Sequence, residues 1–92
     1  MKTIIKVEYF SGEAASYLAA APEWSKWERE TGFSIQQAQD KIGIWDLLFL
    51  GYNAMKREAG GQPVKPFPVW CETVESVSSE QPESPKAIPS EA

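Results

Sequence analysis

The stretch IWDLLFLGYNAMKREA, residues 44–59, is the only long, strongly patterned helix candidate in the chain, and its reading decides the fold. At roughly 100° per residue, Ile44, Met55, Leu48, Ala59, Tyr52 and Trp45 fall on one arc. Leu47, Gly51 and Ala54 extend that arc backwards, and Phe49 and Leu50 mark its edges. The polar line is narrow: Asp46, Asn53 and Arg57. A helix of a small domain needs an apolar stripe only somewhat wider than about 100°, so this one carries more apolar surface than a single neighbour can cover. Either it is the central helix of a bundle, or part of it waits for a partner.

Signals on either side extend the helical reading. Upstream, Ser34 with Gln37 forms a capping box that starts a helical turn or two through Ile35, Ala38 and Ile42, and Gly43 predicts a kink or break before residue 44. Further back, Pro22 opens a helix that Gly32 ends, with Trp24 and Trp27 on one side as core. Before that, Ser11-Gly12 offers an N-cap to an alanine-rich helical stretch, Glu13 to Ala20. Residues Thr3 to Phe10 alternate with a loose period of two and read as a short strand. A lone strand must pair with another copy or a partner, or else form an extended arm or a first helical turn.

Downstream, Gly60-Gly61 terminates the central helix, with Lys56 and Arg57 in its last turns complementing the helix dipole. After a loop over residues 62–66, Pro68 opens a last amphipathic helix of about three turns in which Phe67, Trp70, Cys71, Val74 and Val77 recur at spacings of three and four. From Ser78 the composition turns to Ser, Glu, Pro and Lys, which cannot offset ordering entropy. The predicted fold class is therefore all-α: a small helical bundle with room for a short N-terminal strand. One helical domain covers residues 1–78 and a disordered tail covers residues 79–92.

Composition narrows the function. A chain of 92 residues with net charge −4 and no histidine lacks the basic footprint that phosphates require, and it lacks the usual neutral-pH acid/base group. The single cysteine, Cys71, can form neither an internal disulfide nor a zinc site alone. No glycine phosphate loop and no nucleophile–histidine pair is present, and paired carboxylates such as Glu28 and Glu30, or Glu72 and Glu75, fall on outward faces. These features predict no catalysis, cofactor, metal or nucleic-acid partner. The apolar run Ile42 to Leu50 is broken by Asp46 and falls short of the ~20 residues that span a bilayer, so the expectation is a soluble intracellular protein.

On the central helix Trp45, Leu48 and Met55 lie towards the middle of the apolar arc and are assigned to the core with Trp24 and Trp27. Phe49 sits at the edge beside Lys56. Phe49 and Tyr52, with Lys56 and the nearby Trp70, are the predicted partner-binding residues, since exposed aromatic anchors tend to dominate binding energy.

The order Trp27-Glu28-Arg29, Gly32-x-Ser34, an aromatic-rich helix ending Ala54-Met-Lys-Arg57, then Phe67-x-x-Trp70-x-x-x-Val74-Glu75, resembles the small tail assembly chaperones of long-tailed bacteriophages. The similarity runs from about Trp24 to Val77. It continues at Pro85-Lys86-Ala87, which looks like the end of the shorter of that family's two products. The resemblance implies binding of the tape-measure protein, recruitment of tail-tube subunits and a longer frameshifted form sharing this N-terminal part. It also implies a place in the host cytoplasm and absence from the mature virion. The Pro-Lys pair is compatible with a slippery heptanucleotide. Members often begin with a clearer strand pair, and here an alanine-rich helix is expected instead. The competing reading is a small structural or regulatory helical protein, homo-oligomeric, with no client; an enzyme subunit is a remote third.

Overall fold

A computed structural model describes residues 2–80. The fold is α+β, not the all-α bundle expected: a three-stranded antiparallel sheet is covered by four helices. The strands are β1 (Thr3–Tyr9), β2 (Ala14–Ala19) and β3 (Val74–Glu80), in the order β2-β1-β3. The helices are α1 (Ala21–Thr31), the single turn α2 (Ala38–Lys41), α3 (Ile44–Ala59) and α4 (Phe67–Cys71). A 3₁₀ turn, Ile35–Gln37, leads into α2.

Two strands replace predicted helices, for different reasons. The alanine-rich segment is only six residues long as β2, too short to hold a helix without docking. Its paired alternative is set by the turn at Gly12, whose φ of 96° suits glycine, with Tyr9 N–H donating to Glu13 O at 2.9 Å. Ala19 is fully buried and Tyr17 half-buried on the face that meets the helices, so pairing with β1 outweighs alanine's helix propensity.

In β3, Val74 and Val77 are spaced like helix neighbours. They nevertheless face Tyr9 and Val7, which are two apart in β1, because the register slips by one residue between Glu8 and Tyr9. The extra residue, Glu75, makes a bulge, and a bulge converts strand spacing of two into three. The predicted last helix is thus one short turn, Phe67–Cys71, followed by a strand. Ser79 and Glu80, expected in the tail, pair with Ile5 and Ile4; the rest of the expected tail lies outside the described residues.

Ile5 and Val7 of the central strand are fully buried under α3, which packs across all three strands and against α1 and α4. The closest approach is at Gly51, where an added Cβ would stand 2.9 Å from Ile5 Cγ2. The opposite sheet face is polar: Lys6 pairs with Glu80 at 3.3 Å, and Ser76 donates to Glu8 at 2.9 Å.

The polar line of α3 points inward. Asp46 Oδ1 accepts from Trp27 Nε1 at 2.7 Å while Asp46 Oδ2 accepts from Gly43 N–H at 2.7 Å, fixing the start of α3. Asn53 is buried and donates back to Phe49 O at 2.8 Å. Arg57 reaches Glu23 with Nε at 2.8 Å and Nη2 at 2.9 Å. Glu23 is fully buried. Burial opposes its ionisation, but hydrogen bonds from Arg57 and from Ala20 N–H, with the charge of Arg57, more than offset this and hold its carboxyl below the ordinary value. The narrow polar line of α3 is therefore the seam between α1 and α3.

Candidate partner-binding surface

With its polar line turned inward, α3 must expose part of its apolar arc. Ile44 is 63% exposed and Trp45 45% exposed. Trp45 was expected in the core; it lies outside because Asp46, its neighbour on the helix, is committed to Trp27. Trp24 and Trp27 are buried and meet edge to face at 5.5 Å.

Trp45 stacks on Phe49, one turn along, with centroids 5.0 Å apart and planes 18° apart. Phe67, at the start of α4, meets both rings edge-on at 6.1 and 6.2 Å. Phe49 and Phe67 are half-buried, so the three rings form a ledge with one open side. Val69, also on α4, is exposed.

Two of the other predicted partner-binding residues, Tyr52 and Trp70, lie behind this ledge. Tyr52 is 7% exposed and Trp70 3% exposed, which makes them core rather than anchors. Tyr52 stands 5.2 Å from Phe67 and 5.4 Å from Trp70, and its hydroxyl donates to Lys65 O. Lys56 is exposed and holds its ammonium 5.9 Å from the Tyr52 ring. A continuous aromatic path thus runs from Trp45 through Phe49, Phe67 and Tyr52 to Trp70 and Tyr9, each ring pair worth about 0.5–1.5 kcal/mol beyond its buried area. The ledge is braced from beneath. Of the residues chosen from sequence, Phe49 is half-buried in the ledge and Lys56 is exposed over the Tyr52 ring. Phe67 and Trp45 were missed as surface groups, and the signal for them was the pairing potential of Asp46 and Arg57.

A broad cleft of about 1320 Å³ lies on another side, between the β1–β2 hairpin and residues 63–65. In it the Tyr9 and Tyr17 hydroxyls are 2.9 Å apart, and Trp70 Nε1 donates to Tyr9 at 3.2 Å. Burial, then the bond to Tyr9, pushes the Tyr17 hydroxyl up, so it stays protonated at neutral pH and is a poor base. Cys71 is half-buried and its thiol is likewise raised by burial and by Glu72, which lowers its reactivity. Among the described residues no three His, Cys, Asp or Glu side chains converge as metal ligands, and no helix is long and apolar enough to cross a membrane.

The architecture is a small α+β domain with one helix buried at its middle turn and open at its N-terminal end. No family model, curated protein or solved structure matches the chain.

Proposed function

We infer that the chain is a tail assembly chaperone that holds an apolar helical segment of the tape-measure protein on the Trp45–Phe49–Phe67 ledge, keeping it soluble while tail-tube subunits are recruited. The observation that carries this reading is the ledge itself: three mutually packed aromatic rings, backed by buried Tyr52 and Trp70, with one side uncovered. Rigid aromatic surface loses little entropy on binding, and an amphipathic helix lays its apolar face into such a surface. The N-terminal hairpin supports the reading too, because a paired N-terminus is what the family resemblance leads one to expect.

The chaperone acts in the host cytoplasm, alongside a longer frameshifted form that shares this domain. The test is co-expression with a tape-measure protein. Polar replacements at Trp45 and Phe49 are expected to leave the fold intact and the client insoluble. A client kept equally soluble by those variants excludes the ledge as its binding site.

A further inference from the structure

The two edges of the sheet are finished differently. On β2, side chains from α3 take up backbone groups: Arg57 Nη2 donates to Leu18 O at 2.9 Å, and Leu18 N–H donates to Glu58 Oε2 at 3.3 Å. On β3, among the described residues, no strand pairs with the outer side. β3 also carries no lysine and no proline, the residues that usually blunt a sheet edge, although Glu75 provides a bulge. Beside this edge, Ile44 and Leu48 of α3 and Val74 and Val77 of β3 line a groove of about 260 Å³.

We propose that β3 is a self-pairing edge, through which two copies of the chain join antiparallel about Val77 to make one six-stranded sheet. The sequence of β3, Val-Glu-Ser-Val-Ser-Ser-Glu, is complementary to itself in this register. Val77 faces Val77 of the second copy, Ser76 faces Ser78, and the bulged pair Val74 and Glu75 together face Ser79. No carboxylate faces another, although each copy carries two on the strand. The same two-fold axis brings the exposed Ile44 and the groove of each copy alongside the other's, covering apolar surface that the monomer leaves open. A client strand has no reason to match this register, whereas a second copy matches it by construction. With net charge −4 per chain, the copies repel at long range, so association tightens as salt screens that repulsion.

Sedimentation equilibrium of the full chain tests this. The expected result is a mass rising from 10.3 kDa towards twice that value over about 1–300 µM, the range suited to an interface at the small end of ordinary sizes, and rising further in added salt. Ser76 and Ser78 are exposed, on the polar face, and face each other across the axis, so charges there read the register without disturbing the core. A Ser76→Lys/Ser78→Glu chain puts unlike charges opposite each other twice, and Ser76→Lys/Ser78→Lys puts like charges there. The first is expected to dimerise about thirtyfold more tightly than the second, the swing for two facing pairs changed from attraction to repulsion. A wild-type chain that stays at 10.3 kDa throughout, or two variants that associate equally, overturns the proposal.

Discussion

Replacing Gly51 with alanine probes the contact on which the layering of this fold depends. The new Cβ would stand 2.9 Å from Ile5 Cγ2, 3.5 Å from Ile5 Cβ and 3.9 Å from the Trp70 ring. Ile5 cannot yield easily: it is fully buried, in mid-strand, and paired with Tyr17 on one side and Ser79 on the other. Its γ-methyl is fixed to Cβ, so relief requires a rotamer change or a shift of β1 itself. Alanine gains about 1 kcal/mol over glycine in a helix interior, whereas forcing an extra methyl into a packed core costs about 1–3 kcal/mol. The clash outweighs the propensity, and the net expectation is a loss of about 1 kcal/mol, or about 4–8 °C in Tm for a domain of this size. Urea denaturation followed by circular dichroism measures it, with an unchanged slope showing that both states keep their compactness. Gly43→Ala is the control: its Cβ meets only Asp46 Oδ2 at an ordinary 3.6 Å, so stability should stay within about 0.5 kcal/mol. A Gly51→Ala protein stabilised by the full propensity gain would mean that α3 does not approach β1 as described.

Three further outcomes follow from the seam and the ledge. Trp27→Phe removes the hydrogen bond to the Asp46 carboxylate, worth about 1.5–3 kcal/mol, whereas Trp24 Nε1 has no partner among the described residues; Trp27→Phe should therefore be the more destabilising of the two in urea by at least about 1.5 kcal/mol. Glu23 is held below its ordinary value of 4.5, so as pH falls from there towards the folded value the unfolded chain takes up the proton first and stability is lost. Thermal melts across that window should show the loss, and Glu23→Gln should flatten it. Trp45→Ser should lower stability by about 1–3 kcal/mol, the value of its two aromatic contacts, while Tyr52→Ser should cost about 3–5 kcal/mol as a core truncation; a Trp45→Ser loss larger than that of Tyr52→Ser would put Trp45 in the core.

Local punctuation was legible in the sequence, and long-range pairing was not. Pro22 and Gly32 bracketed α1, Gly43 broke the chain before α3, and Gly60 closed it with a left-handed φ of 61°. Each of those signals acts within a turn of itself. β2 depends on a hairpin turn at Gly12 that also reads as a helix N-cap, β3 depends on β1, far away in sequence, and the bulge at Glu75 disguised β3 as a helix by spacing Val74 and Val77 three apart. The site was half legible for a similar reason. The excess of apolar surface on α3 left two readings, a helix covered on all sides in a bundle or one with part of its arc open, and which part is exposed depends on the rotation of the helix. That rotation is set by Trp27 and Glu23 on α1, which draw Asp46 and Arg57 inward. Charges on a helix are usually solvated, and here two of them hold the core seam, so Trp45 moved to the surface and Tyr52 to the interior.

The most direct test of the proposed chaperone role is the solubility of a tape-measure protein co-expressed with the wild-type chain and with Trp45→Ser/Phe49→Ser, after circular dichroism has shown that the variant keeps its fold. Soluble client in complex with the wild type and aggregated client with the variant are expected. A folded variant that keeps the client in solution as well as the wild type does, or a wild type that never binds it, would contradict the claim.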